Sequence, residues 1–306
     1  MPDLAPGPND LLVRNFATAL NRADTLQRRG LYPPPEGESE ILGLEFAGEV
    51  ASVGKDVREF RRGDRVFGLI GGGGYADQVV VDRRMAVPIP DNLSYDAAAA
   101  VPEVFYTAQE NLFTLGGLRR GQRVLIHAGA SGVGTASIQL ARTAGASILT
   151  TAGSTEKLEC CTSLGAERAI NYREEDFEEV VREETDGEGV DVILDLVGAK
   201  YWERNLRCLR PGGRLLVVGL VGGVEVAADL SHILRRRIQV IGSAMRGRSF
   251  DDKVAITRRF CDDVLPLLEK GELRPVLDRV YALEEVREAH ERMEQNLNTG
   301  KIVLRL

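Results

Sequence analysis

Val124-Leu125-Ile126-His127-Ala128-Gly129-Ala130-Ser131-Gly132-Val133-Gly134-Thr135 is the stretch that decides the fold. A short apolar run enters a glycine-bearing turn, and helical patterning follows from about Gly132 to Ala144. Such a turn suits a dinucleotide. Residues without side chains let the backbone approach a pyrophosphate, and the helix N-terminus offers unpaired N–H groups and a partial positive charge. Strand before and helix after are the context the motif requires. Ser131 stands at the middle glycine of the G-x-G-x-x-G form, so in isolation the turn also reads as a ligand-free strand-to-helix connection. The series of elements around it favours the nucleotide site.

Outward from the turn, strand-like and helical segments alternate. Ser147–Thr151, Ala169-Ile170, Val192–Leu194, Arg214–Val218 and Ile238–Ile241 join Val124–Ile126 as six short apolar strands. Helices are expected near Glu156–Leu164, from about Glu174 to Glu184, and near Tyr201–Leu209. This alternation implies a doubly wound parallel sheet. The first hundred residues read as β-rich, with strands at Leu11–Val13, Phe46–Val53, Val66–Gly68 and Tyr75–Val81 and turns at Arg62–Arg65 and Gly71–Gly74. Helical patterning begins at Ala97–Ala100 and continues over Thr107–Leu115. The tail predicts helices near Lys253–Lys270 and Leu283–Asn296 and a strand at Lys301–Leu306 that rejoins the N-terminal lobe. The fold class is α/β. A β-rich catalytic domain covers 1–102, a Rossmann nucleotide-binding domain 103–242, and a return to the first domain 243–306.

A chain of 306 residues exceeds the usual size of a single core, which agrees with two lobes. The net charge of -7 gives no general attraction to nucleic acid or anionic membrane. Arg235-Arg236-Arg237 reads as a solvated helix end. No stretch reaches the ~20 apolar residues of a membrane span, and Met1–Asp10 has no signal-peptide pattern. Cys160, Cys161, Cys208 and Cys261 lack disulfide or zinc spacing and read as free thiols in a reducing cytoplasm.

Cofactor choice follows from the end of the second strand. NAD sites place Asp or Glu about 20 residues after the glycines, against the ribose hydroxyls. Here the sequence is Thr150-Thr151-Ala152-Gly153-Ser154, without a carboxylate. Ser154, Lys157 and, after the next strand, Tyr172 offer a hydroxyl, an ammonium and a phenol, which suit a 2′-phosphate. Lys157 also reads as a solvated helix residue. The missing acid is the firmer argument, and the expected cofactor is NADPH.

Several stretches together resemble the medium-chain dehydrogenase/reductase superfamily, and within it the zinc-free quinone oxidoreductases of the tumour-suppressor-inducible branch. They are Ala19-Leu20-Asn21-Arg22-Ala23-Asp24, Gly30-Leu31-Tyr32-Pro33-Pro34-Pro35, Leu42-Gly43-Leu44-Glu45, Leu125–Gly129, Ser131–Thr135, Asn171-Tyr172, Tyr201-Trp202-Glu203 and Gly300–Leu304. The resemblance implies a GroES-like β-rich lobe, an inserted nucleotide-binding lobe and a cleft between them. Zinc-using relatives place cysteine near Asn21, histidine near Leu44 and a third ligand near Glu103. Amide, apolar and carboxylate groups stand there in this chain, a poor Zn²⁺ donor set, so no metal is expected. Without zinc to polarise a carbonyl, the acceptor is expected to be a small-molecule quinone or activated alkene. The family pattern adds cofactor positions. It implies Thr107 near the nicotinamide end and Gly132, Val133, Gly134 and Thr135 under the pyrophosphate. Leu220, Val221 and Gly222 pass the nicotinamide, and Ser243, Ala244, Met245 and Asn296 return to the cofactor. The resemblance also implies a homodimer through sheet-edge pairing near Ile238–Ile241. Members carry strands before the one at Leu11–Phe16, so either the natural start lies upstream or this chain lacks them.

Asn21 and Tyr32 are the candidates for donating a hydrogen bond to the acceptor oxygen as charge builds there. Each has a structural alternative, Asn21 as cap of a helix starting at Arg22–Asp24 and Tyr32 as brace of the proline run. His127 and Glu45 read as structural, Tyr201-Trp202 as helix packing, and Cys160-Cys161 as inert thiols. Two other functions compete: an NADPH-dependent 2-alkenal or enoyl-thioester reductase, and a non-catalytic NADPH-binding sensor or crystallin-like protein.

Overall fold

A computed structural model describes residues 4–306. They form two units: one runs to Tyr106 and resumes over Met245–Leu306, and the other is Thr107–Ala244. The first boundary falls inside the helix Pro102–Gln109, which continues as a π-helix over Glu110–Leu115.

The first unit opens with β1 (Asp10–Ala19), β2 (Glu45–Val53), β3 (Arg65–Leu69), β4 (Gln78–Asp82) and β5 (Ala86–Pro88). The second holds β6 (Arg123–Ile126), β7 (Ser147–Ala152), β8 (Arg168–Asn171), β9 (Val190–Asp195), β10 (Leu209–Val217) and β11 (Gln239–Gly242). The chain then returns with β12 (Leu277–Ala282) and β13 (Lys301–Arg305). In the first unit the sheet order is β12-β13-β1-β2-β3-β5, with β4 also on β1. β1 alternates along its first half, burying Leu11 and Val13 and exposing Arg14, the period-2 signature of a half-buried strand. The pairing of β1 with β2 slips between Asn15 and Ala17. Asn15 fills the irregularity, donating to Gly74 O and Ala76 O at 2.9 and 3.1 Å. The tail does return to this unit: β13 lies antiparallel to β1, with Ala17 opposite Arg305.

The second unit is the expected parallel sheet, in the order β11-β10-β9-β6-β7-β8. The order reverses between β6 and β9, where a doubly wound sheet leaves a crevice outside its carboxyl ends. Leu125, Leu149, Ile170, Ile193 and Leu215 build its core. Every residue of β9 is buried, as a strand covered on both faces requires.

Several boundaries differ from the sequence reading. The helix expected over Lys253–Lys270 is two, Phe250–Asp263 and Leu265–Glu269. Pro266 falls in the first turn of the second, which begins at Leu265, because it lacks the N–H needed to continue the first. The helix expected from Glu174 begins at Phe177, capped by Asp176, whose carboxylate accepts the Glu178 N–H at 2.9 Å. The strand expected from Tyr75 begins at Gln78, because Gly73, Gly74 and Tyr75 donate instead to Ile41, Gly43 and Leu42. β12 escaped the sequence reading because it is largely exposed and carries no burial alternation.

Candidate functional site

In the second unit, the candidate cofactor residues Ser131–Thr135, Ser154, Lys157, Tyr172, Leu220–Gly222, Ser243 and Ala244 all lie beyond carboxyl ends of parallel strands. After β6 the chain turns sharply. Ala128 is held at φ 54°, a left-handed conformation disfavoured for a residue with a Cβ. Gly134 must be glycine here, since an added Cβ would lie 2.3 Å from Ala128 O. Gly129 is equally constrained, with Thr150 Oγ1 at 2.0 Å from its added Cβ. Ser131 caps the helix Gly132–Thr143, accepting the Gly134 N–H at 3.0 Å. By helix geometry the N–H groups of Gly132 and Val133 have no partner within the helix and point out of its positive end.

At the end of β7, Ser154 caps the helix Thr155–Leu164. Tyr172, half-exposed, is held beside Gly153 by its N–H on Ala152 O at 3.2 Å. Its hydroxyl lies 2.5 Å from where a Cβ on Gly153 would stand, so the glycine makes room for the phenol. Ala152-Gly153-Ser154 carries no carboxylate. After β10, Gly222 donates to Val197 O at 2.7 Å, leaving Leu220 and Val221 exposed. Ser243 donates its N–H to Val217 O, and Thr107 is buried in its helix.

His127 is wholly buried behind this edge. Its Nε2 lies 2.7 Å from Asn205 Oδ1, which can only accept, so Nε2 carries the proton and Nδ1 accepts from Thr151 Oγ1 at 3.0 Å. Burial lowers its pKa to about 4. Asn205 also donates to Asp195 Oδ2, whose carboxyl burial raises to about 6. Both ring nitrogens are thus committed within the unit, which fits a structural histidine.

The first unit holds Asn21, Tyr32, Met245 and Asn296. Asn21 caps the helix Arg22–Arg28, and it also belongs to a buried polar cluster. Lys301 Nζ donates to Leu20 O, Asn21 Oδ1 and Glu45 Oε1, each at 2.7 Å. Asn21 Nδ2 donates to Glu45 Oε1 at 2.8 Å and to Ala19 O at 3.3 Å. Glu45 Oε2 accepts the Glu103 N–H at 2.9 Å. The ammonium has all three donors used, and the Asn21 amide has no hydrogen left over.

Asp24 extends the cluster, accepting from Asn21 N, Gly43 N and the Tyr75 hydroxyl. Arg28 donates to His290 Nδ1 at 3.2 Å, so His290 Nε2 carries the proton and points it at Tyr75. The donors run in one direction, Arg28 to His290 to Tyr75 to Asp24. Burial and the Arg28 charge hold His290 at about 4, while burial raises Asp24 to about 6. Tyr32 is half-buried under the Arg246 guanidinium, which also donates to Tyr32 O and Gly71 O. Met245 is buried in this unit, and Asn296 accepts from Arg22 at 2.7 Å.

Sequence reasoning assigned nothing to Lys301, Arg246 or His290. For Lys301 a signal existed: a lysine opening the otherwise apolar run Ile302-Val303-Leu304 points to a buried counter-charge. Arg246 and His290 left none, because their partners lie 175 and 215 residues away. Among the described residues no group of three or more His, Cys, Asp or Glu side chains is arranged to hold a metal ion.

Comparison with known proteins assigns the architecture. Residues 7–91 match the alcohol dehydrogenase GroES-like domain family, and residues 132–258 the zinc-binding dehydrogenase family. The chain is 35% identical to a quinone oxidoreductase of Pseudomonas aeruginosa, over 98% of its own length and 92% of the relative's. The chain belongs to the medium-chain dehydrogenase/reductase superfamily. Other proteins are similar at comparable levels. It is 38% identical to a spectinabilin polyketide synthase protein of Streptomyces orinoci, covering 98% of this chain but 13% of that one. Among solved structures, Escherichia coli quinone oxidoreductase complexed with NADPH aligns with a TM-score of 0.91 at 30% identity, covering 100% of this chain and 94% of that one. An NAD-dependent alcohol dehydrogenase gives 0.90 at 33%, with coverage of 100% and 94%. The CurK enoyl reductase gives 0.89 at 30%, with coverage of 100% and 93%. The fold is therefore the superfamily's GroES-like domain joined to a Rossmann sheet.

Proposed function

We propose that this chain binds NADPH and reduces quinones by hydride transfer without zinc. The observation that carries the reading is the Lys301 ammonium, 2.7 Å from the buried Glu45 carboxylate. Glu45 adjoins the positions where the family resemblance places zinc ligands, and an internal cation already neutralises it. The neighbouring Asn21 amide is committed to the same pair, with no thiolate or imidazole in the set. The likeness to quinone oxidoreductases, one solved with NADPH, supports the acceptor and the cofactor.

NADPH, when bound, supplies the hydride. The chain's part is to bind and orient. Gly132 and Val133 N–H groups receive the pyrophosphate, and Ser154, Lys157 and Tyr172 the 2′-phosphate. Thr107, Thr135, Leu220–Gly222, Ser243–Met245 and Asn296 complete the cofactor set. Tyr32 offers its hydroxyl to the acceptor oxygen. Asn21, with both amide hydrogens committed, supports that site by fixing Glu45.

The likeness to the CurK enoyl reductase and to a polyketide synthase protein favours a second reading, reduction of enoyl thioesters. Stopped-flow NADPH oxidation against quinones, enals and enoyl thioesters, repeated with NADH, separates the two. The proposal expects quinones to be fastest and NADPH to outcompete NADH. Oxidation by thioesters alone selects the second reading, and binding without turnover selects a sensor. Lys157→Ala combined with Tyr172→Phe should lower the preference for NADPH over NADH by about tenfold or more, roughly the loss of one charge-assisted hydrogen bond.

A further inference from the structure

Arg246 is a charge buried without a counter-ion. It follows Met245, where the chain re-enters the first unit, and is only 6% exposed. Its Nε and Nη2 both donate to Gly71 O, at 3.0 and 2.8 Å, and its Nη1 donates to Tyr32 O at 3.3 Å. The guanidinium carbon stands over the Tyr32 ring, 5.5 Å from its centroid. Among the described residues Arg246 makes no ion pair. Glu38, whose carboxylate fills the place of a Cβ on Gly71, lies 3.8 Å from Lys253 instead. A buried cation is unfavourable unless its donors are used. Here it meets two carbonyls and one ring face. A guanidinium suits them, because its fork is planar and rigid and lies well on an aromatic face.

The two carbonyls lie 175 and 214 residues from Arg246 along the chain, so one side chain ties together three distant segments. The Tyr32 segment has few ties of its own. Leu31 N–H reaches Leu26 O and Glu38 N–H reaches Pro35 O. Between them Pro33, Pro34 and Pro35 have no N–H to give. Arg246 supplies the bond to the Tyr32 carbonyl and flanks the Tyr32 ring as well. What it leaves over is the phenol hydroxyl. Tyr32 is half-buried, and among the described residues its hydroxyl has no hydrogen-bond partner. Held by carbonyl and ring with its O–H uncommitted, Tyr32 is oriented as a donor without an acceptor.

We propose that Arg246 is the positioning residue of the acceptor site, holding Tyr32 so that its hydroxyl meets the acceptor oxygen. This rests on the reading above in which Tyr32 donates to the acceptor. Arg246 acts through Tyr32 and supplies orientation. A reacting group misplaced by ~1 Å can lose on the order of 10²-fold in rate. The effect belongs in kcat, because the Tyr32 hydrogen bond strengthens as charge builds on the acceptor.

The test is a double-mutant cycle on the full-length chain: wild type, Arg246→Gln, Tyr32→Phe and the two together, with Arg246→Lys alongside. NADPH affinity is read by fluorescence titration, and kcat and KM with the acceptor that the wild type reduces fastest. Tyr32→Phe should lower kcat about 10²-fold and Arg246→Gln about tenfold, both with NADPH affinity unchanged. Arg246→Lys keeps the charge without the fork and should fall between Arg246→Gln and wild type. The double variant should be no slower than Tyr32→Phe alone, since a residue acting through the phenol has nothing to act on once the hydroxyl is gone. Losses that multiply overturn the proposal. So does Arg246→Gln at the wild-type kcat, or slowed only through weaker NADPH binding. Tyr32→Phe at the wild-type rate would sink the reading of Tyr32 and the proposal with it. Fluorine NMR of protein labelled with 3-fluorotyrosine reads the grip without turnover. The Tyr32 resonance, identified by its absence from Tyr32→Phe, should shift or broaden in Arg246→Gln, and a resonance that stays in place overturns the proposal. A wild type that reduces enoyl thioesters but no quinone sinks the quinone reading alone, and the same cycle run on the thioester then decides for or against Arg246.

Discussion

Lys301 concentrates the energetics of the first unit in one atom. Its three N–H donors meet three oxygens, so the pair with Glu45 carries no unsatisfied valence, although both side chains are almost wholly out of solvent. Buried ion pairs gain little over an apolar replacement, but breaking one leaves an uncompensated charge. Lys301→Met should therefore cost about 3–5 kcal/mol, read as a lower urea midpoint. Adding Glu45→Gln to that variant should restore most of the loss, since the amide still accepts the Glu103 N–H and no charge remains. A double variant as unstable as the single one would show that the lysine stem, and not the charge, carries the effect.

At the scale of elements, the helix Gly132–Thr143 ties fold to cofactor. Gly134→Ala forces a methyl to within 2.3 Å of Ala128 O, a backbone atom that cannot move aside cheaply. The turn would open, and NADPH affinity in a fluorescence titration should fall at least tenfold. Unchanged affinity would place the pyrophosphate elsewhere. The same element shows why so much was legible beforehand. Fully buried parallel strands such as Val190–Asp195 hold a short apolar run, here Val192-Ile193-Leu194, and the glycine turn's requirements are local. β12 and the helix break at Val264 were harder. The first is mostly exposed, and the second depends on a single proline in an otherwise helical pattern. The Asn21 cluster was legible only as isolated residues. Its chemistry comes from pairing Glu45 with a lysine 256 positions away, and no local pattern encodes that.

Across the whole molecule, each unit buries one neutral imidazole, His127 in the second and His290 in the first. Unfolded histidine titrates near 6.5 and these near 4, so unfolding takes up a proton at each between those values. The stability they contribute is fully present above pH 6.5 and is lost as pH falls through 4. Asp24, Asp195 and Glu103 act with the opposite sign. Their raised folded values make unfolding release protons in the mildly acidic range, which favours the folded state there. The terms oppose one another, so the imidazole part is best read by difference. Relative to His127→Gln, the wild type should lose on the order of 3 kcal/mol between pH 6.5 and 4, at 1.36 kcal/mol per pH unit. Chemical denaturation at a series of pH values measures this, and parallel curves for the two proteins would mean that His127 already carries its proton in the native state.

The return of the chain at β13 has a consequence for synthesis. A nascent polypeptide emerges from the ribosome with Glu45 256 residues ahead of Lys301, so the first unit must wait with an acidic side chain it cannot yet bury. The inserted sheet does not depend on later residues, since Thr107–Ala244 is complete before β13 is made. Protease challenge of stalled translation products should find the insert resistant while the segment before it is still cut, and protection of that segment should arrive only when β13 clears the exit tunnel.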